Sequence, residues 1–255
     1  MYARIDGRLA LFGRNADASF WEDGYKTTTD ETLAHALRAT KYLGAHRAFF
    51  KKWLPREGVI LEAGSGNGLW VSRLRANGYQ CYGFDFAVDT LIRSHHLRND
   101  LPFVGGDVLH LPFGDNSLAA YLSFGVIEHL RQGPQSILAE TRRVLKPGGV
   151  LCVSVPFDNR FRQRMPAQTE HDALARGLEF YQYFFTPDDL ERELKLAGFR
   201  TTRVFHGYYV NLGLKGANQP WLNALLNNRY AVLIDLLPRL PRAAAHMFFT
   251  VAMRV

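Results

Sequence analysis

A glycine-rich segment carries the strongest chemical signal in the sequence. Gly64, Gly66 and Gly68 stand between an apolar strand predicted at residues 59–61 and a helix predicted at residues 69–76. Glycines there let the backbone turn tightly and approach a ligand, beside the free N–H groups of a helix N-terminus. The third glycine arrives one residue too early for the G-x-G-x-x-G loop of dinucleotide-binding proteins, and no Gly-Lys-Ser/Thr of a P-loop follows.

Two aspartates follow at positions where acids contact nucleosides. Asp85 closes the second predicted strand, residues 80–84, where a carboxylate can accept hydrogen bonds from both hydroxyls of a ribose. Asp107 follows the predicted third strand, where it can accept a hydrogen bond from an exocyclic amine or simply form a turn. Together with the glycines, these acids predict a nucleotide-like ligand.

The elements that must position these residues alternate between strands and helices. That alternation predicts an α/β fold with a largely parallel sheet. A first helix carries the capping signature Thr28-x-x-Glu31 and ends before Pro55, and a last helix has Thr186 as its N-cap and ends at Gly198. Further strands are predicted at residues 118–124, 150–155, 201–205 and 247–255, and a further helix at residues 134–145.

Composition restricts the class of protein. With 255 residues, 47% hydrophobic and 22% charged, the chain has room for one elaborated globular domain. No apolar run approaches the roughly 18 residues of a spanning helix, and the first residues lack the apolar stretch of a secretory signal, so a cytoplasmic location is expected. Cys81 and Cys152 lie in apolar strands and are predicted to be core residues, with no catalytic or metal-binding role.

The net charge of +7 is concentrated near the end of the sequence. From Arg200 onwards there are seven basic residues and one acid, Asp235. A basic segment on a near-neutral body indicates an anionic partner, such as a phosphate group, a membrane surface or a nucleic acid. A solvated cationic face that improves solubility is the alternative.

At its motifs the sequence resembles the class I S-adenosylmethionine-dependent methyltransferases, most closely the bacterial small-molecule group often called type 11. The resemblance covers about residues 59–198. It is carried by Glu62-x-Gly64-x-Gly66-x-Gly68, Asp85, Gly106-Asp107, Ser123-x-x-x-Ile127-Glu128-His129-Leu130 and Arg143-Val144-Leu145-Lys146-Pro147-Gly148-Gly149.

The resemblance implies a Rossmann-like, seven-stranded, mostly parallel sheet with helices on both faces. It also implies an N-terminal helical lid within residues 1–57 and a methyltransferase domain at 58–255, which together form one structural unit. Within that domain, residues 157–185 are expected to cover the acceptor, and residues 210–245 to form a helical insert before the last strand.

The implied cofactor is S-adenosylmethionine. The glycines of the loop would pass under its methionine moiety, and Glu62 would support the loop. Asp85 would bind the ribose, and Asp107 and the Val108 amide would bind the adenine. The Ser123 carbonyl would accept a hydrogen bond from the ammonium group of the methionine moiety. The full set of implied cofactor-binding residues is Glu62, Gly64, Ser65, Gly66, Gly68, Asp85, Phe86, Asp107, Val108 and Ser123.

Three residues are candidates for a general base. His129 leads because it leaves the carboxyl end of a sheet strand, where ligands bind, and an unperturbed histidine accepts protons at neutral pH. His171 and Tyr181 in the covering segment are the others. Equally, Glu128 and His129 can serve only to shape their loop, since methyl transfer from a sulfonium needs alignment more than proton transfer.

Other residues are candidates for contact with the acceptor. Trp21 and Tyr25 stand in the segment that the resemblance makes a lid, although both can be packing residues. Arginines in the covering segment could grip a carboxylate or phosphate in a bidentate manner, or could form a solvated basic loop. The predicted acceptor-binding set is Trp21, Tyr25, Arg160, Arg162, Arg164 and Tyr183.

The insert at 210–245 has apolar residues at helical spacing with arginines close by. Such a stripe can lie on a membrane surface or admit a lipid-linked substrate. It can also pack on its own domain or on a second subunit in a homodimer.

The leading hypothesis is therefore methyl transfer to an oxygen or nitrogen of a small molecule that is anionic or linked to a lipid or sugar. Nucleic-acid methylation is an alternative that the basic tail favours. Two motifs of nucleic-acid methyltransferases are absent from the sequence. Residues 123–126 lack the Pro-Pro-Tyr loop of enzymes that methylate base amines, and there is no Pro-Cys nucleophile. No nucleic-acid partner is therefore predicted. A scaffold protein that binds the cofactor without turnover is the third hypothesis.

Overall fold

The computed structural model describes residues 1–38, 46–207 and 246–255, with the backbone alone for 46–48 and 206–207. Its strands are β1 (Tyr2–Ile5), β2 (Arg8–Gly13), β3 (Val59–Ala63), β4 (Gln80–Asp85), β5 (Phe103–Gly105), β6 (Leu118–Phe124), β7 (Leu145–Pro156), β8 (Gln168–Thr169), β9 (Glu179–Tyr183), β10 (Phe199–Gly207) and β11 (Met247–Arg254). Its helices are α1 (Ala18–Lys26), α2 (Asp30–Leu37), α3 (His46–Trp53), α4 (Leu69–Ala76), α5 (Val88–Leu97), α6 (Gln135–Val144), α7 (Arg160–Gln163), α8 (Glu170–Ala175) and α9 (Pro187–Leu196).

The main sheet has seven strands in the order β10-β11-β7-β6-β3-β4-β5. The pairs from β7 to β5 are parallel, and β11 runs antiparallel to both of its neighbours. The predicted mostly parallel, Rossmann-like sheet is therefore confirmed. Because parallel strands end at the same edge, the segments after β3, β4 and β6 come together there.

Helices cover both faces of this sheet, as predicted. Successive residues of a strand point to opposite faces, and Ile60 and Leu61 of β3 are both fully buried in different apolar clusters. Ile60 packs in the cluster that receives Leu33 of α2 and Val71 of α4. Leu61 packs in the cluster that receives residues of α6 and α9, among them Leu190.

A second, four-stranded sheet with the order β8-β1-β2-β9 was not predicted from the sequence. The N-terminal segment was expected to be a helical lid. Instead, residues 2–13 form a β-hairpin, and only α1 and α2 are helical within residues 1–38. The turn residues Asp6 and Gly7 have φ angles of 49° and 83°, the left-handed pair of a tight hairpin. The dipeptide Asp-Gly between apolar residues was the local signal for this hairpin.

Helix boundaries follow the capping residues with one displacement. The N-cap of α2 is Thr29, whose side chain accepts a hydrogen bond from the Thr32 N–H, so the predicted cap at Thr28 is one residue early. The predicted cap Thr186 is confirmed, with a reciprocal capping box to Asp189. The single helix expected up to Pro55 is described as two, α2 and α3, on either side of residues 39–45, which lie outside the described part.

The predicted insert at 210–245 lies outside the described residues, and so do its proposed contacts with a membrane or a second subunit. Among the residues that are described, no helix combines the length and apolarity needed to cross a membrane.

Candidate functional site

A cavity of about 420 Å³ lies at the carboxyl edge of the parallel strands. One wall comes from the segments that follow β3, β4 and β5, and includes Gly64, Asp85 and Asp107. The opposite wall combines α1, the turn after β6 and strand β9, so the second sheet helps to enclose the site.

The glycines of the loop are required by close contacts. Gly64 has a φ angle of 79°, and a Cβ there would lie 2.2 Å from Cγ2 of Val126. Gly66 has a φ angle of 49°, and its Cβ would lie 2.3 Å from the Tyr25 hydroxyl oxygen. Any side chain would therefore combine left-handed backbone strain with a steric clash.

Two buried acids hold this loop in place. The Gly66 N–H donates to Oδ2 of Asp85 at 2.7 Å, and the Ala87 N–H donates to Oδ1 at 2.9 Å. Below the loop, the Val71 N–H of α4 donates to Oε2 of Glu62 at 3.1 Å. Burial raises the pKa of Asp85 and raises that of Glu62 to about 8, although the backbone hydrogen bonds act in the opposite direction.

The predicted cofactor residues divide into two groups. Gly64, Asp85, Phe86, Asp107 and Val108 line the cavity. The others do not line the cavity: Glu62, Ser65, Gly66, Gly68 and Ser123. Asp107 also accepts a hydrogen bond from the Leu109 N–H at 2.9 Å, so it forms a turn in addition to facing the cavity.

Helix α1, in the segment that was predicted to be a lid, lines the cavity with aromatic side chains. Trp21 and Tyr25 both line the cavity, and their rings stack with centroids 6.2 Å apart. The Trp21 and His129 rings also contact each other in a T-shaped arrangement, with their centroids 5.3 Å apart. Burial, together with the nearby Asp85 and Glu62 carboxyl groups, raises the pKa of Tyr25.

Arg93 of α5 anchors this lid, and sequence reasoning missed it. Its guanidinium donates to the main-chain oxygens of Tyr25 and Thr28, and it forms an ion pair with Asp30 at 2.6 Å. The contact lies across the fold between residues far apart in the chain, and no local sequence signal marks it.

His129 is fixed between two walls of the cavity. Its Nδ1 lies 2.7 Å from the main-chain oxygen of Tyr181, and because a carbonyl only accepts, Nδ1 carries the proton. The two rings also contact each other, with centroids 5.0 Å apart. Burial lowers the pKa of His129 to about 4, so its ring is neutral at physiological pH. His129 in the free protein is therefore a weaker base than the unperturbed histidine that was expected from the sequence.

Glu128 also lines the cavity, and it was not among the predicted site residues. Its side chain is 2% exposed, and its Oε2 atom has no hydrogen-bond partner. Burial raises its pKa to about 8. The sequence signal was its place next to His129 after a sheet strand, but that position alone does not distinguish a loop-shaping acid from a reactive one.

Five predicted residues lie away from the cavity: Arg160, Arg162, Arg164, His171 and Tyr183. Arg162 is buried, donates to the main-chain oxygens of Phe157 and His246, and contacts Nδ1 of His246 at 2.6 Å. The other two arginines and His171 are exposed, and the Tyr183 hydroxyl donates to the main-chain oxygen of Arg131 at 2.8 Å.

The charge of the cavity follows from this arrangement. Among the described residues, no lysine or arginine lines it, whereas Asp85, Asp107 and Glu128 do. The expected bidentate grip of arginines on an anionic acceptor is thus absent from the described lining.

Comparison with known proteins identifies relatives for the central part of the chain. Residues 61–153 match a family described as a methyltransferase domain. A probable S-adenosylmethionine-dependent methyltransferase of Mycolicibacterium smegmatis is 32% identical over 153 residues, which are 58% of this chain and 55% of that protein. A demethylmenaquinone methyltransferase of Renibacterium salmoninarum is 35% identical over 96 residues, 37% of this chain and 40% of that protein. These matches span between 40% and 65% of the length of the curated relatives.

A solved structure shares the fold over almost the whole chain. It is the complex between the Haloferax volcanii Trm112 methyltransferase activator and a methyltransferase, with a TM-score of 0.58 and 17% identity, covering 94% of this chain and 98% of the other. At that identity the likeness concerns the arrangement of strands and helices.

Proposed function

Since the chain contains a class I S-adenosylmethionine-dependent methyltransferase domain of the type 11 group, we propose that it transfers a methyl group from S-adenosylmethionine to an oxygen or nitrogen of a small molecule. The observation that carries this proposal is one cavity with two kinds of wall. Gly64 and Asp85 line the wall suited to a nucleoside, and Trp21, Glu128 and His129 line the opposite wall.

The residues present fit the cofactor. Gly64 lines the cavity and carries no side chain, so a ligand can approach its backbone closely. Each Asp85 oxygen accepts one backbone hydrogen bond and retains capacity for a ribose hydroxyl. Asp107 and Val108 line the cavity beyond Asp85, where the adenine would be held.

Bound there, S-adenosylmethionine supplies a methyl group on a sulfonium, which is already activated for displacement. The chain's own contribution is alignment and exclusion of water. Trp21 and Tyr25 cover the cavity from α1, and Tyr181 closes it from β9. Neutral His129 donates a hydrogen bond from Nδ1 to the Tyr181 carbonyl, which joins the turn after β6 to strand β9.

The cavity lining favours an acceptor without negative charge. Apolar and aromatic side chains such as Phe124, Val126, Leu130 and Met247 lie on the acceptor side, beside the acid Glu128. A carboxylate or phosphate would meet acids and no described guanidinium or ammonium group. The name of the demethylmenaquinone relative agrees with a small-molecule acceptor.

The test is calorimetric titration of the purified protein with S-adenosylhomocysteine. Asp85→Ala should weaken binding at least tenfold, because it removes the ribose acceptor and the hydrogen bond that Asp85 accepts from the Gly66 N–H of the loop. Asp188→Asn, an exposed acid in the first turn of α9, is the matched control and should bind as the parent does.

A screen with labelled S-adenosylmethionine and neutral phenols, alcohols and amines then tests transfer. No binding by folded, ligand-free protein would contradict the proposal. Binding without transfer to any acceptor would favour a scaffold protein, and transfer to RNA would favour the nucleic-acid alternative.

A further inference from the structure

We propose that Glu128 is the group that receives the acceptor's proton, a role that rests on the proposed methyl transfer. Glu128 lies in the turn that follows β6, one residue before His129, which was the leading candidate for the base in the sequence.

The position of Glu128 is the first argument. Its carboxyl group lines the same cavity as Gly64 and Asp85, although the residue is almost completely buried. Oε2 has no hydrogen-bond partner, and Oε1 lies 4.0 Å from Nε2 of His129, beyond hydrogen-bond distance. A buried carboxyl oxygen without a partner is costly to keep, so a ligand that donates a hydrogen bond to Oε2 would be stabilised there.

The state of His129 is the second argument. Its Nδ1 proton is donated to the Tyr181 carbonyl, and burial lowers the pKa of the ring to about 4. A ring that resists protonation in this way is a weak base. Burial has the opposite effect on Glu128, whose pKa rises to about 8, so its carboxyl group is largely protonated in the free protein near pH 7. The positive charge of a bound sulfonium favours the ionised form, and that carboxylate is the stronger base of the two side chains.

The step conserves atoms and electrons without another reactant. The acceptor's oxygen or nitrogen forms a bond to the methyl carbon, the carbon–sulfur bond breaks with its electron pair left on sulfur, and the acceptor's proton passes to the Glu128 carboxylate. The proton then leaves to solvent when the product is released.

The groups that face Glu128 define the acceptor. His129 from its own turn and Tyr181 from β9 are nearest, and the Glu128 charge is one cause of the raised pKa of Tyr181. Across the cavity lie Tyr25 from α1, Asp85 from β4, Asp107 and His246. With no lysine or arginine in the described lining, the fitting acceptor is an uncharged, largely apolar molecule with one O–H or N–H group.

The experiment measures the ionisation of Glu128 itself and needs no known acceptor. Protein labelled with carbon-13 in its glutamate carboxyl groups is titrated by NMR, free and with S-adenosylmethionine or S-adenosylhomocysteine bound. Glu128→Gln assigns the resonance by its disappearance, and Glu128→Asp provides a second assignment. Glu191, exposed on α9, is the internal control.

A base that takes the acceptor's proton must lie within several ångströms of the sulfonium. Its pKa should therefore be lower in the S-adenosylmethionine complex than in the S-adenosylhomocysteine complex by about one unit or more, whereas the pKa of Glu191 should be equal in both. Equal Glu128 pKa values in the two complexes would overturn the inference while leaving the proposed function intact. Failure of both ligands to bind would overturn the proposed function, and this inference with it.

Discussion

The Nδ1 atom of His129 donates its proton to the main-chain oxygen of Tyr181 across 2.7 Å, which joins the turn after β6 to strand β9. The same imidazole meets the edge of Trp21 from the lid helix. One neutral side chain in the turn after β6 thus contacts two segments that are distant in the sequence, α1 and β9, and its protonation state affects how these three segments pack.

His129 should contribute a loss of stability in acid, against the opposite contribution of Glu62 and Glu128, whose pKa values are raised. The unfolded histidine binds a proton near pH 6.5, whereas burial lowers the pKa in the folded protein to about 4. Between these values the unfolded state binds more protons, so stability is lost as the pH falls from 6.5 to 4, by at most about 3 kcal/mol. In urea unfolding, the change from pH 7 to pH 4.5 should cost His129→Gln less stability, or give it a larger gain, than it does the parent. The exposed His96→Gln variant should keep the parent's difference, and an unchanged difference in His129→Gln would contradict the prediction.

The glycine loop should tolerate no methyl group at Gly64. Gly64→Ala and Gly133→Ala both place alanine at positive φ, which costs roughly 1–2 kcal/mol, but only the first creates a clash, with Val126. We expect Gly64→Ala to lose more stability than Gly133→Ala in urea unfolding and to bind S-adenosylhomocysteine at least tenfold more weakly. Adding Val126→Ala removes the clashing methyl and should recover part of the stability. Equal losses in the two single variants would show that strain alone matters.

Arg93 should control the closure of the lid. Its guanidinium fixes the end of α1 through the Tyr25 and Thr28 carbonyls. Arg93→Gln should therefore speed amide hydrogen exchange in residues 18–30 and weaken S-adenosylhomocysteine binding severalfold, with little change in the exchange of the main sheet. Arg192→Gln, whose side chain is largely exposed, is the control and should leave both quantities unchanged. Slow exchange at the lid in Arg93→Gln would contradict the anchoring role.

Arg162 should contribute to stability rather than to acceptor binding. It donates to two partly buried main-chain oxygens and lies over the ring of Phe184. Arg162→Gln leaves these oxygens without their charged donor and should cost at least about 2 kcal/mol in urea unfolding. Arg160→Gln changes an exposed arginine and should cost less than about 0.5 kcal/mol. Full stability in Arg162→Gln, combined with weaker acceptor binding, would restore the hypothesis that this arginine grips the acceptor.

The sequence was informative wherever structure depends on near neighbours. The helix predicted at residues 69–76 is α4, and the strand predicted at 118–124 is β6, with no change of bounds. Both elements have apolar periodicity and clear stops, such as Asn77-Gly78 after α4. The placement of Asp85 at the end of β4 followed from the same local pattern.

Contacts between distant segments were not predictable in the same way. Tyr181 and His129 were named separately, but their hydrogen bond depends on how β9 packs against the turn after β6. The pKa values of Glu128 and His129 depend on burial, which a motif does not reveal. The pairing of β2 with β9 likewise joins residues that have no local relationship.

The four-stranded sheet also sets an order of events during synthesis. Strands β1 and β2 are synthesised before the parallel sheet, yet β8 and β9, which flank them, are synthesised only after most of that sheet. Until β8 and β9 are synthesised, the hairpin of β1 and β2 lacks both of its neighbouring strands. An isolated two-stranded hairpin has only marginal stability in water. The wall that carries Tyr181 is therefore completed late, when residues 179–183 pair with strand β2, which was synthesised before the parallel sheet.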